Sequence, residues 1–444
     1  MIPSGTSVDT LRRSILKNSG WAVSVQGVNA VVSLAETVIL ARFLPLESFG
    51  VLIVLTSAVD FVFGLLDVRT GQAVIKFTPE FGVHDRRQVA AFLKMMLLID
   101  LCIGSVGLAG IALFGSAIAR VADLSDGFTR LMIVLAIGGA LKSLVRSAGS
   151  YLRVNGSFAA ASTLSILVAL LRIGIVLAIA FSNPSLERFA TGIAVADALF
   201  FGVMAFASFA QARRNHENPL TASLRDIATD RRRVRAFLLS TNIESTIKTI
   251  SGKVDVLLLA LITTPAAVAI YKVATRMAGT LLLFSDPLLM AIYPELSRAQ
   301  AEGRSDTAKR FLLRMTRRLW PVALIGMTLF ALLGRPLLEW IAGPDYAAAH
   351  PAALVMTLGT SLAMIFFWAR PLLLVQGRSR SLVGVIALAA FTQFALFALL
   401  APSIGALGGA IGYAAFFGTS ATSCLWLLRD DLRATRVIGR VLES

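Results

Sequence analysis

Thr241, Glu244, Lys248, Ser251 and Asp255 lie in one otherwise apolar stretch. On a helix they fall within an arc of roughly 80°, a continuous polar stripe. Each charge placed at membrane depth costs about 2.5–3.5 kcal/mol, so such residues face a cavity or a partner. A lysine four residues after one carboxylate and seven before another can hold an anion. Either carboxylate can then take up H⁺ or Na⁺ when the lysine is engaged elsewhere. A matching stripe, Gln26, Asn29, Ser33 and Glu36, occupies the first apolar stretch. Two readings of these stripes stand side by side: the wall of a binding cavity, and a buried interhelical network with no ligand.

Further bases sit at the same depth: Lys142 and Arg146, Arg172, Lys272 and Arg276, and Arg370. Lys142–Arg146 and Lys272–Arg276 are like-charge pairs at i, i+4, which repel unless something negative lies between them. A phosphate would serve, and so would a carboxylate on a neighbouring helix; spacing alone leaves both open. The acids at depth are Glu36, Asp60, Asp67, Asp100, Asp197, Glu244, Asp255 and Asp286. From these groups the candidate substrate-binding residues are Lys248, Arg276, Arg172, Lys272 and Asn29. The candidate ion-coupling residues are Glu36, Asp255, Glu244 and Asp60. Neither catalytic residues nor a cofactor is expected. His84, His216 and His350 lie in separate loops without metal-ligand spacing, so no metal site is expected either.

The elements that carry these residues are apolar and long. Of 444 residues, 56% are hydrophobic and 15% charged, with a mean hydropathy of +0.77. A spanning helix needs about 20 mainly apolar residues, and about twelve stretches qualify. They run roughly 20–44, 49–69, 91–114, 129–150, 158–181, 189–210, 236–262, 267–290, 319–341, 351–372, 382–401 and 404–428. The predicted fold is an all-α polytopic membrane protein with about 12 transmembrane helices in two six-helix bundles. The expected organisation is a bundle at 1–210, a basic linker at 211–235, and a second bundle with its tail at 236–444.

The two bundles read as one unit made twice. Glu36-Thr-Val-Ile-Leu-Ala41 lies on Asp255-Val-Leu-Leu-Leu-Ala260 at a shift of about 219 residues, and Asp67 then falls on Asp286. Under the same shift Asn29 meets Lys248, so the two polar stripes are repeat mates. In parallel repeats such helices can line a central cavity from both sides.

The net charge of +16 follows membrane topology rather than nucleic acid. With the N-terminus inside, about 27 of the 42 Lys and Arg residues fall in cytoplasmic loops and tails and about five outside. That asymmetry predicts cytoplasmic N- and C-termini. The first apolar segment is too long for a cleavable signal and carries Glu36, so it is expected to remain as the first helix. Outer loops are too short for an extracellular domain. The inner loops at 211–235 and 291–318 are expected to form amphipathic or surface helices beside anionic headgroups. Gly405-Ala-Leu-Gly-Gly-Ala-Ile-Gly412 opens an apolar stretch rather than following a strand, so Gly408 and Gly412 read as helix-packing residues, not a phosphate loop.

Several short motifs, in order, carry a resemblance over nearly the whole chain. They include Leu40-Ala-Arg-Phe-Leu44 followed by Phe49-Gly50, Phe77-Thr-Pro-Glu80, Tyr151-Leu-Arg-Val-Asn-Gly156, Tyr293-Pro-Glu295, Gly343-Pro-Asp-Tyr346 and Gly405-Ala-Leu-Gly408. With these the sequence resembles the polysaccharide-transporter, or Wzx-type, oligosaccharide flippases of the group that includes multidrug and lipid II exporters. The resemblance implies a cavity alternating between leaflets of a bacterial inner membrane. The implied cargo is a polyprenyl-diphosphate-linked oligosaccharide for exopolysaccharide, capsule or O-antigen assembly. The implied partners are H⁺ or Na⁺, membrane lipids and a polysaccharide polymerase with its export machinery. A cation-coupled multidrug exporter is the alternative, though its acidic, aromatic cavity fits the surplus of buried bases poorly. A membrane glycosyltransferase or polymerase is disfavoured by the absence of a sizeable outer loop, and lipid II as cargo by a helix count of twelve.

Overall fold

The computed structural model describes residues 8–442, apart from 83–84, 122–126, 156–157, 228–229, 283–291, 293–295, 297, 301 and 303–304. Along parts of its helices, 8–20, 240–241, 243–253 and 432–442 among them, only the backbone is described. Among the described residues there is no strand, and helix occupies every apolar stretch recognised in the sequence. In order, the helices are α1 (Val8–Phe43), α2 (Leu46–Leu65), α3 (Thr70–Gly82), α4 (Arg86–Val121), α5 (Phe128–Val154), α6 (Phe158–Ser182) and α7 (Leu186–Arg214). They continue with α8 (Arg231–Ile262), α9 (Pro265–Gly279), α10 (Ser305–Ala342), α11 (Ala349–Ile365), α12 (Ala369–Val375), α13 (Ser379–Ile404) and α14 (Ala406–Leu442). Among the described residues, 10 helical runs are long and apolar enough to cross a membrane. The other two expected stretches fall on α8, part of which is described by backbone alone, and on α9, beyond which 283–290 lie outside the described residues.

By contacts the chain forms two compact units, Met1–Leu44 with Val51–Leu261, and Pro45–Gly50 with Ile262–Ser444. All of α8 but its last residue groups with the first unit.

In the first unit α5 is central, packing on α3, α4 and α7, while α1 packs on α6 and α6 on α7. Small residues allow the close approaches. A Cβ at Gly107 on α4 or at Gly139 on α5 would strike the ring of Phe63, which is buried between them. Phe77, Phe81, Phe92 and Phe237 pack edge to face or stacked where α3, α4 and α8 meet.

The break between α2 and α3 has a local cause. Asp67 Oδ1 accepts the Arg69 backbone N–H at 3.0 Å, and Arg69 takes a left-handed φ of 56°. An aspartate bonding its own chain two residues on competes with the helix. The helix stops, turns and restarts at Thr70.

In the second unit α13 pairs with α14, α11 packs on α9, α10 and α14, and the buried Trp368 donates from Nε1 to Thr316 Oγ1 at 2.8 Å. A Cβ on Gly408 would meet the backbone at Leu400 and Ala401, and one on Gly412 the carbonyl of Gln393. Those glycines are packing residues between α13 and α14, as the sequence reading held.

Candidate functional site: a charged cavity in the first unit

Three helices bring the first group of charges together. Arg172 on α6 donates from Nε and Nη2 to Glu36 on α1 at 3.0 and 2.8 Å, and from Nη1 to Asp197 on α7 at 2.9 Å. Lys142 on α5 stands 3.9 Å from Asp197. Asp60 on α2 is near enough to act on Arg172 electrostatically. Five charged groups from five helices thus form one network, with Arg172 at its centre.

A second pair lies along α5. Arg146 Nη1 is 2.7 Å from Asp67 Oδ1 at the α2–α3 break. So the like-charge pair Lys142–Arg146 is relieved by carboxylates on neighbouring helices, Asp197 for one and Asp67 for the other. Beside it lies Asp100 on α4, with no exposed surface. Its two oxygens accept from Thr70 Oγ1 and Ser147 Oγ, each at 2.5 Å, and its main-chain carbonyl accepts from Ser143 Oγ at 3.0 Å. Thr70 opens α3, so this carboxylate ties the restarted helix to α4 and α5.

These elements wall a cavity of about 800 Å³, within the usual range for small-molecule sites. Its charged lining is Arg69, Lys142, Arg146 and Arg153 against Asp60 and Asp67. Gln72, Ser150 and Ser165 add polar groups, and Phe63, Phe200 and Met204 an apolar side. The Lys142 side chain is 51% exposed, so it can leave Asp197 for a ligand without unpacking the helix.

Of the residues singled out in the sequence, Glu36, Arg172 and Asp60 come together in this network. Asn29 is an exposed residue of α1, a helical turn and more before Glu36. Asp255 is buried at 9% exposure, and its Oδ1 accepts the backbone N–H of Val256 at 2.8 Å. Lys272 and Arg276 lie half-buried on α9 in the second unit. Lys248 and Glu244 are on α8, but their side chains lie outside the described residues, as does Asp286. Sequence reasoning did not place Arg69, Lys142, Arg146, Arg153, Asp67 or Asp197 among the site residues. The like-charge spacing of Lys142 and Arg146 was the available signal. Among the described residues no group of His, Cys, Asp and Glu has metal-site geometry.

Fold and charged interior together define a multi-pass α-helical membrane protein. An inward-facing multidrug-resistance MATE-family transporter of the MOP superfamily superposes with TM-score 0.71 at 15% identity, over 92% of this chain and 95% of its own. The lipid II flippase MurJ, in an inward closed conformation, gives 0.69 at 12%, over 93% and 89%. The Vibrio cholerae MATE transporter VcmN in its bent form gives 0.60 at 14%, over 98% and 99%. Residues 15–300 match the family described as polysaccharide biosynthesis protein, and the chain belongs to that family. It is also 22% identical over 359 residues to the inner membrane protein YghQ of Escherichia coli K12, covering 76% of this chain and 95% of that one.

Proposed function

We propose that the protein is a flippase that carries a polyprenyl-diphosphate-linked oligosaccharide from the cytoplasmic to the periplasmic leaflet of a bacterial inner membrane. The product would serve exopolysaccharide, capsule or O-antigen assembly. The observation that carries the reading is the cavity with four bases against two carboxylates. A diphosphate is a compact double anion, and guanidinium and ammonium groups are its natural partners. A cationic drug would be repelled by the same lining, which disfavours multidrug export. Membership of the polysaccharide family and the likeness to YghQ support the cargo class and the inner-membrane location.

In this reading Lys142, Arg146, Arg69 and Arg153 take the diphosphate. Asn29 and Lys248 on the repeat-related α1 and α8, and Lys272 and Arg276 on α9, are further candidate cargo contacts. Arg172, already engaged by two carboxylates, positions α1, α6 and α7. The protein makes and breaks no bond. Both termini face the cytoplasm, alternating access is driven by H⁺ or Na⁺, and a polymerase with its export machinery uses the flipped product.

The test is polymer production in a strain lacking the chain, complemented at matched membrane levels. Lys142→Ala with Arg153→Ala should reduce export at least tenfold, about 1.4 kcal/mol of lost charge contact. Arg153→Lys should keep it. Normal export by the double variant would remove the diphosphate from this cavity.

A further inference from the structure

The segment after α7 is pinned to the first unit. Its Asn215 carbonyl accepts from Arg86 Nη1 at 2.7 Å, and the Ala222 carbonyl from Lys94 Nζ at 2.9 Å. Glu217, 8% exposed, accepts from the Tyr151 hydroxyl at 2.6 Å, and Ile227 is wholly buried. Between Asn215 and Glu217 the chain turns through His216 at a left-handed φ of 58°, a conformation uncommon for residues other than glycine. The turn is held by the three anchors around it.

This pinning builds the wall of a second cavity, about 710 Å³, separate from the first. Arg87 enters it from the first turn of α4 and Arg213 from the last turn of α7; the pinned segment adds His216, Asn218, Thr221 and Ser223. Asp226 is the acid among its lining residues. The Arg213 guanidinium lies over the Phe209 ring at 5.3 Å, which fixes its direction. Two guanidiniums, an imidazole, an amide and two hydroxyls around one concavity form the donor set of a phosphate site. Beside it Leu220 is 70% exposed while Lys94 Nζ reaches its carbonyl at 3.4 Å. An exposed leucine flanked by bases suits the boundary between headgroups and acyl chains.

We propose that this cavity binds the phosphate headgroup of an anionic membrane lipid. Arg87 and Arg213 hold the phosphate, His216 and the hydroxyls orient it, and Leu220 enters the acyl boundary. Occupancy ties the segment between α7 and α8 to α4 and α7. The site is apart from the cargo cavity, so the proposal stands or falls independently of what the protein exports.

The test uses the full chain in a neutral detergent, with thermal unfolding followed during separate titrations. The probes are short-chain phosphatidylglycerol, short-chain phosphatidylcholine and inorganic phosphate. Phosphatidylglycerol should raise Tm saturably, phosphatidylcholine should not, and inorganic phosphate should act only at far higher concentration. Arg87→Gln and Arg213→Gln should each weaken the phosphatidylglycerol midpoint by roughly fivefold, and together by about thirtyfold. Leu220→Ser should weaken the lipid but not inorganic phosphate. Arg225→Gln, on the same segment but not lining the cavity, should change nothing. Equal stabilisation by phosphatidylcholine, equal potency of inorganic phosphate, or an unchanged midpoint in the double variant would each overturn the proposal.

Discussion

Arg172 grips Glu36 with two parallel hydrogen bonds, Nε to Oε2 at 3.0 Å and Nη2 to Oε1 at 2.8 Å, joining α6 to α1. The remaining arm reaches Asp197 at 2.9 Å, and Lys142 stands on the far side of Asp197 at 3.9 Å. Two bases and two acids therefore cancel across four helices. Geometry of this kind offsets the cost of taking the charges out of water, but only while every member is present.

Arg172→Ala should consequently be among the most damaging single changes in the first unit. It leaves two carboxylates, with exposures of 13% and 14%, without their guanidinium, a loss of about 3–5 kcal/mol. Arg172→Lys should recover little, because an ammonium cannot serve both oxygens of Glu36 and also reach Asp197. Thermal unfolding of the purified protein measures this. A Tm near wild type for Arg172→Ala would show that the network contributes nothing to stability.

The order and approximate extent of the helices were legible in the sequence because hydropathy alone decides which segments a bilayer accepts. The α2–α3 break was not, since it depends on Asp67 turning back on Arg69, a contact two residues long with no periodic signature. Within the site, Glu36 and Arg172 stood out because buried charges always do. Their partnership did not, because they are 136 residues apart and only the packing of α1 on α6 joins them. The uncertainty over Lys142 and Arg146 had the same origin: a carboxylate on another helix and a bound phosphate look alike from spacing.

Asp100 provides a sharper stability test. Its two oxygens are the acceptors for Thr70 and Ser147, and all three groups are buried. Asp100→Asn keeps one acceptor and lets the other hydroxyl rotate to accept, a loss of about 1 kcal/mol. Asp100→Val strands both hydroxyls and should lose about 2–4 kcal/mol. Adding Thr70→Val and Ser147→Ala should restore part of that. If the triple variant unfolds no later than Asp100→Val, the hydroxyls are satisfied elsewhere.

Topology can be read with single cysteines in a background lacking Cys102 and Cys424. Asn183 and Asp345 are exposed near helix ends expected outside, and Thr221 and Arg378 are exposed at ends expected inside. Tyr346 is a poor probe, because its side chain is 2% exposed. A membrane-impermeant maleimide should label positions 183 and 345 in intact cells, and 221 and 378 only after permeabilisation. Labelling of position 221 in intact cells would reverse the orientation drawn from the basic loops.

Glu36 and Asp255 are repeat mates in sequence, yet their surroundings differ, and this predicts a division of labour in coupling. Glu36 is fixed by a bidentate guanidinium, so its carboxylate is already engaged within the protein. Asp255 is buried on α8, and one of its oxygens accepts the adjacent Val256 N–H, a bond that survives either charge state. In the proposed function, a carboxylate so held exchanges a cation as its access to water changes. Asp255→Asn keeps the shape and removes the charge. In proteoliposomes it should bind substrate but lose the dependence of transport on an imposed H⁺ or Na⁺ gradient. Glu36→Gln should lower Tm while the surviving protein keeps its gradient dependence. Normal gradient-driven transport by Asp255→Asn would exclude Asp255 as the coupling carboxylate, and selective loss of gradient dependence in Glu36→Gln at unchanged Tm would assign that role to Glu36.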